Sequence, residues 1–147
     1  MITLRSANDT FAFGEALAPF VGVGDVITLS GPLGAGKTSL ARGILAGLGL
    51  LEEAPSPSFP VVISYELPDL RLPVWHVDLY RIERETEIYE LGLADALTSG
   101  ALIIEWPERL PHRRWDGALQ LRLEIELNDA RGLTAVVPPA WEKRWQF

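Results

Sequence analysis

The 147-residue sequence predicts an α/β fold, a mixed β-sheet flanked by helices. Three observations predict it. Val26–Leu29 and Ala101–Ile104 are short, wholly apolar or nearly apolar runs, the pattern of strands buried on both faces. Other stretches place apolar residues at helical spacing. A glycine loop, GPLGAGKT at residues 31–38, joins the first of those strands to a helix. The order strand, glycine loop, helix narrows the class to a P-loop NTPase-like sheet.

The elements follow in order. Ile2–Leu4 is a short apolar strand. Asn8 or Asp9 is expected to cap a helix through about Phe20, with Phe13, Ala16, Leu17 and Phe20 on one face. Gly22 and Gly24 stop it. After the strand Val26–Leu29 and the loop, a helix runs from Lys37 to about Leu48 on a stripe of Leu40, Ala41, Ile44, Leu45 and Leu48. Gly43 and Gly47 each weaken that helix by about 1 kcal/mol relative to Ala, and are expected to mark close packing against the sheet. EEAPSPSFP is too rich in proline for a helix. Val61–Tyr65 and Val74–Val77 read as strands joined by a hairpin connection through PDLRLP. Glu83–Leu97 reads as a helix with Ile88, Leu91 and Leu97 inward. Leu119–Leu127 alternates strictly, leucine and isoleucine on one face and polar residues on the other. Leu133–Val137 pairs with it across NDARG. The tail WEKRWQF either frays or docks. No repeat or linker divides the chain, so residues 1–147 are expected to form a single domain.

Composition excludes several classes. There are no cysteines, hence no disulfides, zinc–thiolate sites or thiol chemistry. The apolar runs are too short to cross a membrane, and MITLRSANDT lacks the order of a secretory signal, so a cytoplasmic protein is expected. A net charge of −7 opposes general nucleic-acid binding, although a local basic patch at Arg113 and Arg114 stays open. The chain has two lysines, Lys37 and Lys143, against eleven arginines. One of those two lysines sits inside the glycine loop. A compact ammonium fits between phosphate oxygens where a planar guanidinium needs more room.

The loop supplies a phosphate grip. Gly31, Gly34 and Gly36 let the backbone curl so that successive N–H groups point at anionic oxygens. The helix that follows adds its positive end. The nucleotide-binding set is Gly34, Ala35, Gly36, Lys37, Thr38 and Ser39. Lys37 is placed to reach the β- and γ-phosphates, and the Thr38 hydroxyl to ligate Mg²⁺. Such a site also needs a carboxylate at the end of a neighbouring buried strand. VWHVD ends in Asp78 and ALIIE in Glu105. Either can hold the metal or orient the attacking water. His76 lies two residues before Asp78, on the same side of an extended strand, and either approaches the phosphates or packs. Trp106 follows Glu105 and is the tryptophan expected beside the site.

Neither lysine sits in an Asn-Lys-x-Asp context, so ATP is favoured over GTP. Three uses of ATP stay open on the residues alone: hydrolysis, transfer to a small molecule, and a non-hydrolysing docking module. SPSF, with Ser58, lies where nucleotide-ordered switch loops occur.

Beyond the loop, DTFAFGEALA, SPSF with Tyr65 downstream, HVDLYR at 76–81, ELGLADAL and IIEWPERL stand in one order over residues 9–110. In this combination the chain resembles the TsaE (formerly YjeE) family of tRNA threonylcarbamoyladenosine biosynthesis ATPases. The resemblance implies a small P-loop domain that binds ATP and Mg²⁺ and hydrolyses ATP slowly alone. It implies TsaB and TsaD as partners, which transfer a threonylcarbamoyl group to the adenosine beside the anticodon, with tRNA reached only through that complex. By matching position, it implies Thr10 in the nucleotide pocket, Lys37 and Thr38 on phosphate and metal, and Asp78 and Glu105 completing the metal and water site. Trp106 would sit beside them, with Ser58 the switch-loop hydroxyl. Two positions depart from the pattern. Pro32 stands where the family usually has Asp, which removes a loop N–H. SPSF replaces SPTF and keeps the hydroxyl. Lys37→Ala is expected to abolish ATP binding, measured by titration calorimetry.

Overall fold

Residues 1–57, 61–84, 86–87, 91–110 and 115–147 are described by a computed structural model. Its strands are β1 (Ile2–Leu4), β2 (Val26–Ser30), β3 (Val62–Tyr65), β4 (Val74–Asp78), β5 (Ala101–Glu105), β6 (Leu119–Ile125) and β7 (Arg131–Val136). They form one seven-stranded sheet in the order β1-β7-β6-β2-β5-β4-β3. β2 runs parallel to β5 and β6, and β4 runs parallel to β5. β3, β7 and β1 add antiparallel margins. β2, β4 and β5 therefore end on one edge, which is where ligands bind in open α/β sheets.

Helices α1 (Ala7–Leu17) and α2 (Lys37–Gly47) share a core with Ile27, Leu29, Leu119, Leu121 and Leu123. Leu17, Leu40 and Ile44 are completely buried, each stabilising the fold by about 1.5–3 kcal/mol. A second core on Val77, Leu79, Leu102 and Ile104 packs against the short helix α3 (Leu93–Ala96).

Several expectations shift. The cap of α1 is Ser6, not Asn8 or Asp9: its extended backbone lets its hydroxyl accept from the Asp9 N–H at 3.1 Å. The α-helix stops at Leu17, and Ala18–Phe20 tightens into a 3₁₀ turn, because Pro19 has no N–H to continue the ladder. Gly43 and Gly47 face α1 rather than the sheet. A Cβ on Gly43 would lie 2.1 Å from the Phe11 carbonyl oxygen, and one on Gly47 would lie 2.5 Å from the Ala18 Cβ. Of the predicted helix Glu83–Leu97, residues 85 and 88–90 lie outside the described residues. The described part is a helical turn at 86–87 and then α3, which Gly92 opens at φ 68°. The alternation of Leu119–Leu127 holds through Leu123. Ile125 ends the strand half-exposed, and Leu127 falls in the turn to β7 at 87 % exposure.

The tail docks. Trp141 is fully buried, and Phe147 packs against Phe13 with ring centroids 5.1 Å apart and planes tilted by 59°. Arg144 clamps Asp25 through both carboxylate oxygens, at 2.6 and 3.1 Å, and lies over the Trp141 ring. Helix propensity alone would make Gly43→Ala stabilising by about 1 kcal/mol. The contact with Phe11 reverses the sign, and a loss of about 2 kcal/mol is expected in urea unfolding.

Candidate functional site

The glycine loop leaves the end of β2, beside the ends of β4 and β5. Gly31 sits at φ 138°, and a Cβ there would lie 2.3 Å from the backbone oxygen of Leu123 on β6. No other residue fits that approach. The Pro32 carbonyl accepts from the Ala35 N–H at 3.1 Å, closing a turn whose third residue, Gly34, has φ 80°. Pro32 lacks an N–H, yet its carbonyl organises the loop, since it also accepts from the Lys37 ammonium at 2.9 Å.

Lys37 folds back over its own loop. Its Nζ donates to Gly31 O at 2.6 Å and stands 3.8 Å from the centroid of the Trp106 ring. Burial pushes its pKa down, opposed by the charges of Glu108, Glu105 and Asp78. Trp106 reaches this position because it leaves β5 in a left-handed backbone conformation, φ 61° and ψ 48°. For a bulky residue that geometry costs on the order of 1–3 kcal/mol. Its N–H still bonds Leu29 O on β2, so the turn stays tied to the sheet. Tyr80 lies 4.9 Å from the Trp106 ring, and the Arg109 guanidinium stands 5.5 Å from the Tyr80 ring centroid.

The carboxylates converge through register. Asp78 and Glu105 are partners on adjacent parallel strands. Glu105 is 2 % exposed and held at both oxygens: Oε1 accepts from the Thr38 hydroxyl at 2.9 Å, and Oε2 lies 2.6 Å from His76 Nε2. Of the two uses open for His76, neither describes it. The ring is fully buried and spends its Nε2 on Glu105. Asp78 Oδ1 accepts from the Tyr80 N–H at 2.8 Å. Burial, then the neighbouring Glu105 charge, raise the Asp78 pKa despite that bond. Two buried carboxylates side by side favour a cation between or before them. Among the described residues no three His, Asp or Glu side chains are grouped to hold a metal ion by themselves. Mg²⁺ takes few protein ligands and keeps waters and phosphate oxygens. Thr38, Glu105 and Asp78 fit it.

A cleft of about 500 Å³ gathers Gly34, Gly36, Lys37, Thr38, Ser39, Asp78, Glu105 and Trp106. Thr10 and Ala35 lie apart from these, in a hollow of about 140 Å³ that shares Gly34, Gly36 and Ser39 with the cleft. Ser58 lies outside the described residues, as do Arg113 and Arg114. Sequence reasoning missed Arg131 at the start of β7. Its guanidinium donates to Ala35 O at 3.0 Å and Gly34 O at 3.3 Å, bracing the loop from outside. The Ala35–Gly36 peptide is trans, so its N–H faces away from that brace. Nothing in the local pattern of NDARG signals this. Tyr80 was carried in HVDLYR without a role.

A curled glycine loop on a central parallel strand, opening a helix and flanked by two strand-end carboxylates, defines a P-loop NTPase-like fold. The crystal structure of Bacillus subtilis YdiB superposes with a TM-score of 0.75 at 28 % identity, covering 91 % of this chain and 82 % of that one. The family model described as threonylcarbamoyl adenosine biosynthesis protein TsaE matches residues 4–133. The tRNA threonylcarbamoyladenosine biosynthesis protein TsaE of Bacillus subtilis is 37 % identical over 137 residues, 88 % of this chain and 82 % of that protein. The protein of the same name from Rickettsia typhi is 35 % identical over 132 residues, 89 % and 90 % of the two chains. The chain belongs to the TsaE family.

A carboxyl whose folded pKa is raised contributes stability below its unfolded value and loses it as pH rises through the folded one. Asp78→Asn is therefore expected to be more stable than the unmodified protein at pH 7, by thermal denaturation in metal-free buffer. The difference should close as pH falls below the ordinary value of 3.8.

Proposed function

We propose that this chain binds ATP with Mg²⁺ and hydrolyses it in support of threonylcarbamoyl modification of tRNA, with TsaB and TsaD as its partners. One observation carries the reading. Glu105 is buried at a strand end, bonded to the Thr38 hydroxyl of the glycine loop and adjacent to Asp78. A binding loop alone needs no such carboxylates; a phosphoryl-transfer site does. The family name supports the tRNA pathway. Among the described residues no helix is long and apolar enough to cross a membrane.

In this reading the loop N–H groups and the α2 N-terminus receive the phosphates. Lys37 exchanges its carbonyl partners Gly31 and Pro32 for phosphate oxygens, and its charge gathers the negative charge that grows on the γ-phosphoryl group. Mg²⁺, when bound, neutralises phosphate charge as a Lewis acid, with Thr38 and Glu105 as its protein ligands. Asp78, whose carboxyl burial raises, is the better base and orients the attacking water. Trp106 and Tyr80 wall the cleft on the side of Lys37. The acidic chain, net charge −7, meets tRNA through its partners.

The expected outcome for Glu105→Ala is ATP affinity near that of the unmodified protein with phosphate release reduced by about 10²-fold or more. Normal release would move the role elsewhere. Reconstitution with TsaB, TsaD, tRNA and threonylcarbamoyl-adenylate should give more modified tRNA per complex when this chain and ATP are present. No gain overturns the pathway assignment.

A further inference from the structure

We propose that His76 is a positioning residue of this site: its Nε2–H holds Glu105 in the one orientation that leaves Oε1 on Thr38. The inference rests on the reading of Glu105 as a metal-site carboxylate. Its own basis is geometric. Glu105 sits at the end of β5, and His76 on the neighbouring strand β4, two residues before Asp78 and on the same face. The His76 ring has no exposed surface, and its Nε2 lies 2.6 Å from Glu105 Oε2, among the shortest contacts in the site. A carboxylate only accepts, so Nε2 carries the proton. The ring's Nδ1 is buried with no hydrogen-bond partner among the described residues. A histidine placed for packing would gain nothing from its two nitrogens here; one of them remains uncompensated, and the other is spent wholly on Glu105.

The consequence is directional. With Oε2 taken by His76, the carboxylate plane is set, and only Oε1 faces the loop, where the Thr38 hydroxyl meets it at 2.9 Å. The Thr38 oxygen donates its hydrogen to Glu105 and keeps its lone pairs for a cation. Without His76 the carboxylate rotates about its terminal bond, and Thr38 loses a fixed acceptor. Partners that orient a metal's ligands commonly carry roughly 10–100-fold of metal affinity or activity.

The experiment pairs His76→Gln with His76→Asn. The glutamine amide nitrogen reaches the position of Nε2, whereas the asparagine amide stops near Nδ1. His76→Asn is expected to raise the Mg²⁺ concentration for half-maximal phosphate release by roughly 10-fold or more. His76→Gln is expected to restore it to within about 3-fold, with ATP affinity in the absence of Mg²⁺ unchanged in both. Equal losses in the two variants, or no change in His76→Asn, overturn the proposal. The second readout needs no activity. Long-range ¹H–¹⁵N spectra of the metal-free, unmodified protein are expected to show the Nε2–H form of His76, with its ring proton shifted far downfield and moved back by Glu105→Gln. An Nδ1–H ring, or one indifferent to Glu105→Gln, overturns the proposal even if both variants unfold. If the unmodified protein releases no phosphate, the hydrolysis reading fails by itself and the ring spectrum still decides the role of His76.

Discussion

A carboxylate buried at the end of a central strand is the constraint on which the site depends. Glu105 is almost wholly removed from water, and a charge there is tolerable only when both oxygens are bonded. Thr38 and His76 meet that need from two different elements, the first turn of α2 and the middle of β4. The demand thereby ties the glycine loop to its two neighbouring strands. Removing either partner leaves a buried carboxylate oxygen unbonded, which costs about 1–3 kcal/mol or more. Asp78, beside it, is held with a raised pKa. Among the described residues, Lys37 is a cation whose charge acts on Asp78 and is in turn acted on by Glu105 and Asp78. Its ammonium also turns to loop carbonyls and the Trp106 face.

The scaffold holds these groups still. α2 must start at Lys37 with its axis aimed at the cleft, and α1 locks it there through glycine contacts so close that backbone meets backbone. From the other side, β6 presses its Leu123 carbonyl against Gly31, and Arg131 on β7 braces Gly34 and Ala35. Loop curvature is thus imposed from three directions rather than by glycine content alone. Function in the proposed reaction follows from that rigidity, since a preorganised cradle needs no rearrangement when charge develops.

Most of the fold was legible because its signals are local. The apolar runs at Val26–Leu29 and Ala101–Ile104, the stripe of α2 and the alternation of β6 each express a period set by backbone geometry. Most misreadings fell where the deciding partner was distant. Gly43 and Gly47 promised close packing, but the sequence does not say whether a sheet or a helix approaches them. The C-terminal tail docks because Arg144 finds Asp25, more than a hundred positions away. At the α1 start, Ser6, Asn8 and Asp9 are all competent caps, and only the backbone at Ser6 is extended.

The amino-acid order by itself determined the glycine loop, the two strand-end carboxylates and Trp106 beside them, since each is written in a contiguous motif whose spacing dictates its geometry. Only the tertiary structure decided what those groups bond to. That Glu105 is shared between Thr38 and His76, that Asp78 is the carboxyl raised by burial, and that Arg131 braces the loop all depend on strand order. Strand order is a long-range property: β4, β5 and β7 become neighbours of the loop through sheet pairing, and hydrogen bonds across that pairing have no trace in local sequence.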